Sequence, residues 1–174
     1  MESFYRSVTA LTVKLDIQKA IRDMLLHYTD CPASNILAGY NNKMQLPSDN
    51  NYIIFTVLGQ TRLGTPIVEY DFTGNRSYQD FRVDIQIDFY GQFAFDRAND
   101  IINISRTLFL CDLMKPYGIQ PIECDDARNL TGVSGEKEYV ERWSVTMTVD
   151  YRDAVSDTQD GFNTAELNIF ETEL

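Results

Sequence analysis

Histidine is nearly missing from this sequence: His27 is the one example in 174 residues. A lone imidazole cannot serve a Ser-His-Asp arrangement and also ligate a metal. There is no G-x-S-x-G elbow for a serine nucleophile, and the nine glycines are scattered at turns rather than gathered in a phosphate loop. Cysteine is scarce as well. Cys31, Cys111 and Cys124 are odd in number, unrelated in spacing and without a CxxC pair, which argues against a disulfide framework and against a zinc site. No apolar run approaches the ~20 residues of a membrane helix. Residues 1–16 lack both the continuous apolar stretch and the small-residue cleavage site of a secretory signal, so the expectation is a soluble protein that stays where it is made. Basic residues are also in short supply, 15 against 26 acidic, for a net charge of -11. Nucleic-acid readers draw most of their affinity from Lys and Arg, so sequence-specific binding is not expected. An acidic surface can still line a channel through which DNA passes without sticking.

What is present is an amphipathic chain of one-domain size, 44% hydrophobic and 12% aromatic, long enough to bury a real core. Its organising stretch is residues 78–91. Phe81, Val83, Ile85, Ile87 and Phe89 alternate with Arg82, Asp84, Gln86, Asp88 and Tyr90, the period of a half-buried strand with one polar, acidic face. Residues 138–152 repeat the pattern, with Trp143, Val145, Met147, Val149 and Tyr151 on one side, and the two strands pair most economically antiparallel. Asp84 or Asp88 would then lie near Arg142 or Arg152. Residues 52–58 form a third strand, apolar on both sides, and residues 118–124, broken by Pro121, an edge strand.

Two helices cover this sheet. From Thr12 or Asp16 to Tyr28, a stripe of Leu15, Ile17, Ala20, Ile21, Met24, Leu25 and Tyr28 recurs at helical spacing, with His27 at the C-terminal end as a surface or capping residue. After Gly91 the period changes. Asp96 is the expected N-cap of one helix whose stripe runs through Ala98, Ile101, Ile102, Ser105, Leu108, Phe109 and Leu113, with Cys111 as a core residue. Residues 29–51 read as loop, residues 1–11 as a loose or docked N-terminal segment, and residues 154–161 as turn. Glu123, Asp125 and Asp126 lie close in sequence but lack the alternating ligands of a calcium loop, so solvated acids are preferred to a metal site. Asp84 and Asp88, four residues apart on a strand, stand roughly 13 Å apart, too far for a carboxylate acid–base pair. No enzyme, cofactor or metal is expected.

Two segments carry apolar residues without an obvious core to join. Residues 60–77 hold Leu63, Ile67, Val68, Tyr70 and Phe72 among Gly64, Pro66 and a TGN turn; they read either as a hairpin tip folding back or as an arm to a neighbouring subunit. The acidic C-terminal tail, residues 153–174, holds Phe162, Leu167, Ile169 and Phe170, which pair either on another subunit or on the chain's own sheet edge.

The order of helix, loop, YIIFTVL strand, long arm, VDIQIDFYG strand, FDRANDII helix and GEKEYVERWSVTMTVDY strand resembles the tail terminator, or neck, proteins of tailed bacteriophages over residues 12–152. The segments that carry the resemblance are residues 87–91 and 135–143. It implies an α+β domain over residues 1–174, an antiparallel sheet with helices on one face, forming a hexameric ring that ends a tail tube. The tube protein, head–tail connector proteins and, for a sheathed tail, the sheath are its implied partners, and the virion tail its implied place. The 60–77 arm and the C-terminal tail are then candidates for contacts between subunits, and Asp84, Gln86 and Asp88 for a lumen that repels DNA. The alternatives are another neck or head-completion protein and a small ligand-binding domain, which would need a concave apolar pocket.

Overall fold

The computed structural model describes residues 13–40, 45–48, 50–71, 74–134 and 138–157. Its centre is the antiparallel pair expected from sequence. Strand β3 (Gly74–Tyr90) lies between β2 (Ile53–Asp71) and β8 (Arg142–Asp157), in continuous register with β8 from Asn75↔Asp157 to Tyr90↔Arg142. Strand β4 (Ile119–Cys124) pairs with the outer side of β8 as an edge strand containing Pro121, and the two-residue β5 (Arg128–Asn129) pairs with β8 near its start. A separate ribbon joins β6 (Gly132–Ser134) to β7 (Glu138–Val140).

Helices α1 (Val13–Tyr28), α2 (Ala94–Ile104) and α3 (Leu108–Met114) cover one face of the sheet. Ile17, Ala20, Ile21, Met24 and Leu25 of α1 meet Ala98 and Ile101 of α2, Leu110 and Met114 of α3, and the sheet's Ile53, Ile85, Ile87, Phe89, Val145, Met147 and Val149. Each fully buried aliphatic side chain here contributes about 1.5–3 kcal/mol by leaving water. The class is α+β. Among the described residues no helix is long and apolar enough to cross a membrane.

Several boundaries differ from those read in the sequence. The 29–51 stretch is not all loop: β1 (Ile36–Ala38) pairs with β2 in parallel, so the sheet is mixed rather than purely antiparallel. Arg22 secures that segment by donating to the carbonyls of Ile36 and Ala33, both at 2.6 Å. The expected single helix after Gly91 is two. The Ser105 and Thr107 hydroxyls donate back to the carbonyls of Ile102 and Ile104 at 2.7 and 2.8 Å, which competes with the helical ladder and ends α2. Helix α3 restarts out of phase, so Leu110 and Met114 are buried while Leu108 and Phe109, expected in the core, are each 73% exposed. Cys111 is only partly buried and Leu15 stands half exposed. Helix α2 begins at Ala94, so Asp96 is not its N-cap but lies in its first turn, where its charge suits the helix dipole.

The second long strand breaks at Glu141 and continues past Arg152 to Asp157, so residues 153–157 are strand rather than tail or turn. The described residues of the 60–77 segment form the distal half of the β2–β3 hairpin, and β8 extends alongside it. The first eleven residues, Phe72, and tail residues Phe162, Leu167, Ile169 and Phe170 lie outside the described residues.

Candidate functional site

Two surfaces stand out once the helices are in place: the sheet face they leave open, and the part of the sheet that outruns them. On the open face, β3 presents Asp80, Arg82, Asp84, Gln86 and Asp88 directly opposite Arg152, Asp150, Thr148, Thr146 and Ser144 of β8. Directly opposed residues share a face, so their side chains meet. Arg82 forks onto Asp150 at 2.9 and 3.0 Å, and Arg152 onto Asp80 at 2.6 and 2.9 Å. Arg142 reaches Asp88 at 3.1 Å, and its guanidinium lies 5.6 Å over the Tyr90 ring, which stacks on Tyr52 at 4.4 Å.

The lumen candidates therefore have unequal standing as charges. All three lie on this one face. Asp88 is buried, 6% exposed, and neutralised by Arg142, with Gln86 donating to both its oxygens. Asp84 is exposed and accepts a hydrogen bond from Thr148 at 3.0 Å. The expected approach of acids on β3 to Arg142 and Arg152 occurs at Asp88 and Arg142, whereas Arg152 takes Asp80. Hydrogen bonding from Arg152 holds the Asp80 carboxyl below its ordinary value, against partial burial. That pair's contribution is full above the unfolded carboxylate pKa near 3.9 and is lost as pH falls through the lower folded value.

A depression of about 170 Å³ lies on this face, lined by Gln86, Asp125, Asp126, Arg128, Leu130, Ser144 and Thr146. It is smaller than the roughly 300–1,000 Å³ of ligand pockets, and Leu130 is the one apolar side chain in its lining. Among the described residues no three His, Cys, Asp or Glu side chains converge as metal ligands. His27 is exposed at the end of α1, edge-on to Tyr28 at 4.7 Å.

The second surface is a three-stranded arm. From Phe81, stacked on Tyr151 at 5.4 Å, to Gly74 at the tip, β3 runs eight residues, whose seven steps span roughly 23 Å at strand rise. The Tyr151 hydroxyl donates to Gln60 across the base of the arm at 3.0 Å. Among the sequence candidates, Ile67 is 53% exposed, Val68 43% and Tyr70 76%, while Leu63 is half-buried beside a bulge that contains Gly64 and Pro66. Sequence reading missed Val155, 59% exposed on the same arm. The alternation of Val149, Tyr151, Asp153 and Val155 was its available signal. Also missed was the β6–β7 ribbon, with Tyr139 80% exposed. It is rooted beside Arg142, at the opposite end of β8 from the arm tip: the Leu130 amide donates to the Arg142 carbonyl at 2.8 Å.

The model of the phage neck terminator protein family matches residues 15–173 of the chain. The chain belongs to that family. This neck terminator is thus a structural component of a phage tail. No curated protein matches it. Among solved structures, it is similar to the sheath/tube terminator of the PVC extracellular contractile injection system in its extended state, at 13% identity and a TM-score of 0.49 over 97% of this chain. The chain spans 66% of that protein's length.

Proposed function

We propose that this neck terminator assembles as a closed hexameric ring on the head-proximal end of the tail tube, where it stops tube growth and offers a seat to the head–tail connector. The observation that carries this reading is the arm, a stiff three-stranded extension with Ile67, Val68, Tyr70 and Val155 in solvent on a chain otherwise able to bury its core. A heterologous ring needs two different patches on each subunit, and the arm and the C-terminal tail supply them. The whole chain, residues 1–174, acts as one terminator-like domain. The arm tip and the β6–β7 ribbon lie at opposite ends of β8, and in this reading one end of the subunit faces the tube and the other the neck, with sheath contact outside.

The open sheet face lines the lumen in this reading, with Asp84 and Gln86 in reach of passing DNA and Asp88 serving to hold Arg142 in place. The net charge of -11 disfavours adhesion to a duplex that carries one charge per roughly 1.7 Å. The role is non-enzymatic and needs no cofactor; subunits gather in the host cytoplasm and end in the virion tail. Addition of the purified protein to growing tail tubes tests the reading directly. Electron microscopy should show tubes arrested at their length at addition, each capped by a ring at one end. Tubes that elongate unchanged would refute it.

A further inference from the structure

The depression on the open face is built from both long strands and from the chain that passes beside them. Gln86 and Thr146 stand opposite each other on β3 and β8, and Ser144 stands opposite Arg128 of β5. Asp125 is fixed at the wall because its amide donates to the Thr146 carbonyl at 2.8 Å. Ser144 is 7% exposed and lines the depression, yet among the described residues its hydroxyl has no hydrogen-bond partner. Buried hydroxyls ordinarily have one, so Ser144 marks a place where a donor fits. The groups around it also offer acceptors. Gln86 turns its amide nitrogen to Asp88 at 2.9 and 3.1 Å, which leaves its carbonyl oxygen for the depression. The Asp125 and Asp126 carboxylates are exposed, can only accept, and form no ion pair among the described residues.

We infer that this depression is a socket for one basic side chain, best an arginine, presented by a basic protein partner. It is a property of the single subunit and stands whether or not the ring forms. Its volume of about 170 Å³ suits one side-chain head, and a guanidinium brings five donors to a site made of acceptors. Other occupants fit worse. An anion would meet two carboxylates for the one guanidinium of Arg128. A bare divalent ion lacks ligands, because Glu123, the third acid nearby in sequence, is drawn to Arg106 at 3.3 Å, and among the described residues no three acidic groups converge. An apolar ligand would find Leu130 alone, whereas the methylene stem of an arginine can lie on Leu130 while its head reaches the acceptors. A second copy is disfavoured by its own net charge of -11, and its Arg22, Arg82, Arg97, Arg106, Arg142 and Arg152 are already engaged within the subunit. The chain's own residues 158–174 contain no Lys or Arg.

The test is a titration of the intact, isotope-labelled chain with argininamide, beside the neutral isostere citrullinamide, followed by nitrogen–proton correlation spectra. Argininamide alone is expected to move the Ser144 and Thr146 amides and the Gln86 side-chain amide saturably. Asp125→Asn with Asp126→Asn should weaken that binding about tenfold or more, and Arg128→Gln should tighten it about two- to fivefold. Asp100→Asn with Asp112→Asn, which removes the same charge from α2 and α3, should leave it unchanged. Equal shifts from citrullinamide, equal weakening by the two double variants, or no saturable shift in the intact chain would overturn the inference. So would reversal of the shifts by calcium chloride but not by sodium chloride of equal ionic strength, which would make the depression an ion site.

Discussion

Arg97 shows how a single side chain can hold a junction that periodicity does not announce. It is 3% exposed in the first turn of α2, donates to Asp30 at 2.7 Å and to Asn51 at 2.5 Å, and lies 5.5 Å over the Phe93 ring. It thereby ties α2 to the end of α1 and the entry to β2. Beside it Gly91 turns β3 into α2 at φ 96°, and a Cβ there would stand 2.8 Å from the Asn50 carbonyl oxygen. Arg97→Ala should lower stability by about 2 kcal/mol in urea unfolding, because it removes the charged hydrogen bonds to Asp30 and Asn51. Arg97→Lys should recover only part of this, since an ammonium cannot fork to both partners. At Cys124, burial first and the nearby Asp125 second push the thiol up to about 12. The folded thiol therefore stays protonated. Iodoacetamide at pH 8 should leave Cys124 unmodified until urea unfolds the chain, as read by mass spectrometry. The sign of the linkage follows: stability from this group is full below the unfolded thiol pKa near 8.5 and declines as pH rises towards about 12.

At the scale of elements, long strands were legible because a two-residue period admits little else over fifteen positions, and the pairing of β3 with β8 followed from their equal length and matching faces. What escaped reading had local causes. Strand β1 is three residues long and is held by Arg22, whose contacts are fourteen and eleven residues away in sequence. The helix after Gly91 broke at two hydroxyl residues whose back-bonding a stripe of apolar residues does not reveal. The polar ending of β8 looked like a turn, although β3 pairs with it to the tip. Of the candidate site, the arm's apolar residues were visible in sequence, but its three-stranded build depends on register and was not. Since Ile67 and Tyr70 are largely in solvent, changing both to Ser should move the unfolding free energy by no more than about 0.5 kcal/mol. The same double change should abolish self-association in sedimentation velocity. A large loss of stability instead would mean that the arm packs on its own subunit.

For the whole molecule, the layered plan assigns one job to each surface. The helix-covered face supplies stability. The open face carries cross-strand Arg–Asp pairs that largely neutralise one another, with Asp84 exposed, so the lumen proposed for this face would be a milder repeller than the acid count of the sequence suggests. In the proposed ring the arm and tail carry association. The central claim is that these parts close into a ring, and the most direct check is solution mass by light scattering across protein concentration and salt, repeated with tail tubes present. A discrete species near six times the 20.0 kDa chain, lost when residues 60–77 or 158–174 are removed, is the expected result. A stable closed dimer, or a monomer both in solution and on tubes, would contradict it.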